Sequence, residues 1–113
     1  MSGRKSQLPP YPVISAGDMS MNITGPVTNI QYLDNVGLQL VFTGTPTGTF
    51  FVDLSLDQTN WTPITFSASP VASGSAGNIY LDMNQLSAPY IRVRYVASSG
   101  AGSLNAMITS KQV

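Results

Sequence analysis

The sequence predicts an all-β fold: a single antiparallel β-sandwich or jelly roll of about eight strands, preceded by an extended, proline-rich N-terminal arm. Three observations support this. Apolar and polar residues alternate with a period of two over several stretches, which is typical of strands that bury one face. Turns rich in glycine and proline separate these stretches. No stretch has a helical period, and all five acidic residues are aspartate, so glutamate, a strong helix former, is absent.

The arm is predicted over residues 1–15 and the sandwich over residues 16–113. Proline fixes φ and favours an extended, polyproline-like backbone in the arm. We expect the arm to dock on a neighbouring subunit rather than to form a loose terminus. Its apolar anchors are Leu8, Tyr11 and Val13. The positive charges of Arg4 and Lys5 would face an acidic neighbour.

Five strands have clear alternation, and weaker runs at 19–23, 27–33 and 61–66 add the rest. The predicted inward-facing residues are Leu38, Leu40 and Phe42; Phe50, Val52, Leu54 and Leu56; Ile79, Leu81 and Met83; Ile91, Val93 and Tyr95; and Leu104, Ala106 and Ile108. The turns at 43–48 and 98–102 predict two hairpins. A short helical turn is expected at most at 83–86.

The composition excludes several classes of protein. Only 9% of residues are charged, against about 25% in typical domains, and the net charge is zero. The low charge argues against a disordered chain, which would carry a high net charge. It also argues against a nucleic-acid partner, because a protein that binds nucleic acid needs a basic surface. No apolar run is long enough for a membrane span. With no cysteine and no histidine, we expect no enzyme activity, no cofactor and no metal.

Arg92 and Arg94 share one face of a predicted strand. They could grip a partner, but cross-strand pairs with Asp53 or Asp82 are the favoured interpretation, because such pairs commonly pattern an exposed sheet. Asp57, four residues after Asp53, is expected to shape a turn instead of forming a catalytic carboxylate pair.

Trp61 follows a turn, where a tryptophan usually closes the end of a sandwich core. The alternative is that Trp61, Tyr80 and Tyr90 stack on sugar rings, which would make the chain a carbohydrate-binding module. That alternative has little support from the fold alone.

Four apolar residues occupy predicted outward positions: Val41, Phe51, Val96 and Met107. Either they are covered within the monomer, or their sheet face packs on other subunits. The near-absence of charge favours the second interpretation, because it removes repulsion between copies.

Two blocks of residues carry a resemblance to a known group. The first contains GTPTGTF at 44–50, VDLSLD at 52–57 and NW at 60–61; the second contains DMNQL at 82–86, PYIRVRY at 89–95 and SGAGSLNA at 99–106. Their order resembles small bacteriophage virion structural proteins with a β-sandwich fold, over roughly residues 25–110, a single-domain span.

The resemblance implies a structural subunit of a phage particle, of the head decoration, cement or tail accessory type. It implies other virion proteins and copies of the chain itself as partners, and a location in the virion after synthesis in the bacterial cytoplasm. It transfers no catalytic residue.

Overall fold

The computed structural model describes residues 7–30, 35–66, 68, 70–83 and 88–111, and within these ranges it contains ten strands and no helix. The strands are β1 (Gln7–Asp18), β2 (Ile23–Thr24), β3 (Thr28–Asn29), β4 (Asn35–Gly44), β5 (Thr47–Ser55), β6 (Thr62–Pro63), β7 (Val71–Ser73), β8 (Gly77–Met83), β9 (Tyr90–Ser99) and β10 (Gly102–Lys111). The all-β prediction is confirmed. The count exceeds the predicted eight by two, because Gln7–Asp18 forms β1 where the arm was predicted and because β7 is a further piece of three residues.

Two antiparallel sheets form the molecule, an arrangement consistent with the predicted sandwich. The first has the order β1-β10-β4-β8. The second has the order β2-β9-β5-β6, with β3 also beside β9 and β7 also beside β5. No helix long and apolar enough to cross a membrane occurs in the described part of the chain.

One apolar core lies between the sheets, and both contribute to it. Phe42 of the first sheet contacts Phe50 of the second, with ring centroids 5.4 Å apart, and Phe50 contacts Tyr95 at 5.0 Å. The predicted alternation is confirmed on β4, β9 and β10, whose predicted inward residues are all buried. On β5 it ends early: Leu56 lies beyond the strand and is 75% exposed.

Both predicted hairpins are wrong. β4 and β10 belong to the first sheet, whereas β5 and β9 belong to the second. The turns at 43–48 and 98–102 therefore carry the chain from one sheet to the other. Instead of folding back on itself, β4 pairs with β10, and β5 pairs with β9. A glycine–proline turn signals a change of direction but does not say which sheet receives the next strand.

The two turns that connect the sheets lie side by side, and their contact explains why each contains a glycine with positive φ. The Thr45 N–H donates to the Ala101 carbonyl at 2.9 Å. Gly44 and Gly100 both have positive φ, +87° and +78°, a region where other residues are strained. A Cβ on Gly100 would also collide with the carbonyl oxygen of Thr45.

The extended arm is not confirmed, because from Gln7 onward its residues pair with β10 of the same chain. Val13 is half-buried against the chain's own core. Proline is tolerated here because β1 is an edge strand, and shifts in register accompany the prolines. Residues 1–6, with Arg4 and Lys5, and residues 84–86 of the predicted helical turn lie outside the described residues; Met83 ends β8.

Candidate functional site

The only salt bridges among the described residues lie on the outward side of the second sheet. Antiparallel register places Asp53 of β5 opposite Arg92 of β9, with Arg94 one diagonal step away. We call this side the arginine face and define it by Phe51, Asp53, Trp61, Arg92 and Arg94. Directly opposed and diagonal neighbours on one sheet face are within reach of long side chains.

Asp53 accepts hydrogen bonds from both arginines. Arg94 binds it through two atoms, with Nε 2.7 Å from Oδ2 and Nη2 3.1 Å from Oδ1. Arg92 adds Nε at 3.0 Å from Oδ2. The predicted outward position is correct, but the Asp53 side chain is only 1% exposed because the arginines cover it.

The pKa of Asp53 reflects two opposing effects. Burial favours the neutral acid and would raise the pKa. The hydrogen bonds and positive charges of Arg94 and Arg92 outweigh burial, so the pKa of Asp53 lies below its ordinary value. Pairing with Asp53 in turn raises the pKa of Arg94. Asp53 is therefore negatively charged and Arg94 positively charged throughout the neutral range.

Aromatic rings flank the cluster on both sides. The Arg92 guanidinium carbon lies 4.3 Å from the centroid of the Trp61 ring, and that of Arg94 lies 4.7 Å from the centroid of Phe51. Both distances suit cation–π contacts. Trp61 is half-buried and lies outside the core, so the predicted core role is wrong: the ring packs under an arginine.

The remaining predicted site residues are not brought together. Asp82 lies on β8 of the first sheet, opposite Gly37, so it cannot pair with the arginines. Tyr80 is also on β8, whereas Tyr90 begins β9 in the second sheet. The residues proposed for sugar stacking are thus divided between the two sheets, and Arg92 covers one side of the Trp61 ring.

The outward side of the first sheet has a different character. We call it the open face and define it by two adjacent rows across β8, β4 and β10: Tyr80, Gln39 and Met107, then Asn78, Val41 and Asn105. Tyr80 is 61% exposed, Met107 41% and Val41 38%. None of the six is charged.

The open face also contains a shallow cavity. Tyr80 leans over Gly37, where an added Cβ would lie 2.5 Å from the tyrosine oxygen. Tyr80, Gly37 and Met107 help to line a shallow cavity of about 160 Å³.

The sequence allowed two interpretations of the outward apolar residues, burial within the monomer or exposure for packing on other subunits, and the two sheets differ in this respect. Phe51 and Val96 are half-buried, whereas Val41 and Met107 are exposed.

A second cavity, of about 360 Å³, lies beside the turn that follows β5. The carboxylate of Asp57 accepts hydrogen bonds from the backbone N–H groups of Asn60 and Thr59, and from the side chains of Asn60 and Ser55. These bonds hold the pKa of Asp57 well below its usual range. Asp57 therefore shapes the turn and has little capacity left for a ligand.

The described residues contain no group of three or more acidic, histidine or cysteine side chains arranged to hold a metal ion. The residues that sequence reasoning missed are Gln39, Asn78 and Asn105, the polar members of the open face. Their signal was present: they alternate with core residues, and none is charged.

Comparison with known proteins identifies the fold but no family. No family model matches the chain, and no curated protein matches it. Among solved structures, the SPBc2 prophage-derived protein YomS has a TM-score of 0.63 at 9% identity; the match covers 97% of this chain and 98% of YomS. The two folds therefore agree over their full lengths.

Two further structures contain this fold as a part. The PBSX exported protein XepA matches with a TM-score of 0.60 at 18% identity, over 99% of this chain but 38% of XepA. A chain of infectious bursal disease virus, Gx strain, matches with a TM-score of 0.52 at 13% identity, over 97% of this chain and 32% of the viral chain. The neighbours thus include prophage-derived and viral proteins.

Proposed function

We propose that this chain is a structural subunit of a phage virion, a capsid decoration, cement or accessory protein that packs on other virion proteins through the open face. The observation that carries the proposal is the open face itself. It presents three large apolar side chains, without a charge among its six residues, in a protein whose net charge is zero. Contiguous apolar patches of this kind mark association surfaces.

The particle is proposed to be a phage virion because of the structural neighbours. The full-length agreement is with a prophage-derived protein, and a viral chain contains the same fold. The residue blocks of the sandwich resemble small phage virion proteins as well. These likenesses support the class of particle, and the open face supports the mode of attachment.

The proposed role is non-catalytic. The buried carboxylate of Asp53 is held by two arginines, and that of Asp57 is held by its own turn. A general acid or base needs a proton that it can exchange near neutral pH, and both pKa values are lowered instead. The neutralised arginines likewise offer little to nucleic acid. The predicted contacts of Arg4, Lys5, Leu8 and Tyr11 with a neighbour stay predictions.

A particle-binding assay tests the proposal. Virions of the encoding phage, prepared without this protein, are mixed with the purified chain and sedimented. The wild type is expected to co-sediment. Val41→Lys is expected to bind at least about tenfold more weakly, because it buries an unpaired charge in the contact.

The matched control is Val71→Lys, the same substitution at a residue of similar exposure, 47% against 38%. Val71 lies on β7 at the edge of the second sheet. Its variant is expected to bind like the wild type, with circular dichroism showing both variants folded. Equal binding by both variants contradicts the open face as the contact, and a wild type that never co-sediments contradicts the virion role.

A further inference from the structure

The edges of the two sheets are protected unequally against pairing with another chain. Unpaired backbone groups on an edge strand are a template for a new strand, and proteins usually block them with short strands, proline or lysine. At the edges of the second sheet the described strands have only two or three residues. In the first sheet, β1 carries three prolines and several register shifts.

β8, the other edge of the first sheet, has none of these protections. It is seven residues long and contains neither proline nor lysine. Among the described strands β4 is its one partner, so its opposite side is left without a described neighbour. Its inward residues Ile79 and Leu81 pack against the core but stay half-buried, which leaves apolar surface at the same edge.

We propose that β8 pairs antiparallel with β8 of a second copy of this chain, about a two-fold axis at Tyr80. The two four-stranded sheets then become one continuous sheet. In this register all seven residues of each β8 find a partner. Tyr80 meets Tyr80 of the second copy on the open face, and Ile79 meets Leu81 of the second copy on the core side.

The single charge of β8 selects this register. A two-fold axis at Asp82 would place two carboxylates directly opposite each other, and an axis at Leu81 would place them on a diagonal. With the axis at Tyr80, Asp82 lies opposite Asn78 of the second copy and far from the other carboxylate. Asn78 already accepts a hydrogen bond from Gln39 Nε2 at 3.3 Å, which leaves its amide N–H groups to donate to Asp82.

The β8 strand of a second copy fits this edge better than any other described edge strand of a second copy does. The proline-bearing β1 lacks the N–H groups that a new ladder needs, and the short edge strands cannot match seven residues. Self-pairing is therefore isologous and closes as a dimer instead of growing into a fibre. The proposal is independent of the virion role.

Cysteine cross-linking tests the axis directly, because the chain has no cysteine of its own. Cα atoms directly opposed in an antiparallel pair are about 4.5–5.5 Å apart, within the range of a disulfide. Tyr80→Cys is expected to form a covalent dimer under mild oxidation, in full-length protein at several concentrations. Gln39→Cys, on the neighbouring strand of the same face, is the control and is expected to stay monomeric.

A charge swap tests the register without removing the tyrosine. Asn78→Asp places two pairs of carboxylates opposite each other and is expected to raise the dissociation constant of the dimer about tenfold. Asn105→Asp adds the same charge on β10, away from the edge, and is expected to have little effect. The double variant Asn78→Asp with Asp82→Asn restores one carboxylate opposite one amide and is expected to restore the dimer.

Light scattering coupled to size-exclusion chromatography reports the oligomeric state throughout. A wild type that remains monomeric at every concentration, with no preferential cross-linking of Tyr80→Cys over Gln39→Cys, overturns the proposal. A dimer that Tyr80→Cys does not cross-link and Asn78→Asp does not weaken also overturns it, because such a dimer uses another surface.

Discussion

The arginine face and the open face are both outward sides of antiparallel sheets, but their side chains differ in charge and in exposure. On the arginine face one acidic and two basic side chains form a cluster in which each charged group pairs within the same chain. The open face has no charge among its six residues and leaves Tyr80 61% exposed. The difference teaches that charge in this molecule holds one side of the chain together, whereas the lack of charge on the open face suits the association proposed for it.

The stabilising role of the arginine face comes from coverage as much as from charge. An exposed ion pair is worth little, but Asp53 is only 1% exposed and is bound by two arginines. The aromatic rings of Trp61 and Phe51 hold the guanidinium groups over it. A residue of the open face has no comparable set of partners, so substitutions there should leave the monomer intact.

The largest expected difference between the faces comes from removing their carboxylates. Asp53→Ala leaves two guanidinium groups without a partner and should lower the free energy of unfolding by about 2–3 kcal/mol, below the range for fully buried pairs because the arginines are partly exposed. Asp82→Ala, beside the open face, should change it by less than about 0.5 kcal/mol. Urea unfolding measures both, and equal losses would show that the cluster is not the source of stability.

A smaller effect separates the two arginines. Arg94 makes two hydrogen bonds to Asp53 and Arg92 makes one. Arg94→Ala should therefore cost about 1.5 kcal/mol and Arg92→Ala about 1 kcal/mol, values reduced because both side chains are partly exposed to solvent. The same unfolding experiment measures the order, and a larger loss for Arg92→Ala would point to its stacking on Trp61 as the dominant contact.

The smallest effect is a pH dependence. Because the folded protein lowers the pKa of Asp53, its stabilising contribution is complete above the unfolded value of about 3.9 and is lost as the pH falls through the lower, folded value. Asp53→Asn should unfold with a shallower dependence on acid than the wild type. Some dependence should remain, because the pKa values of Asp18 and Asp57 are also lowered. Identical acid profiles for variant and wild type would contradict the assignment.

The core was predictable from local pattern because its physical cause is local. Leu38, Leu40 and Phe42 alternate with polar residues, and any sheet with one buried face turns all three inward. The division into sheets was not predictable in this way. Which strand pairs with β4 depends on residues about sixty positions further along, where β10 begins, and no turn motif encodes that choice.

The candidate site was predictable only in part. Alternation placed Asp53, Arg92 and Arg94 outward, and their charges made pairing the favoured interpretation. The burial of Asp53 and the stacking of Arg92 over Trp61 depend on the register of β5 with β9 and β6, which the sequence does not display. Asp82 shows the same limit, since its distance from the arginines is a property of sheet membership.

The position of β10 has a consequence for the order in which the molecule forms during synthesis. β10 is the last described strand in chain order, yet it lies between β1 and β4 in the first sheet. Gln7 pairs with Lys111, so β1 has no described partner strand until almost all of these residues have left the ribosome. Such distant pairing makes folding slow, and until it occurs β1 and one edge of β4 have no described partner strand.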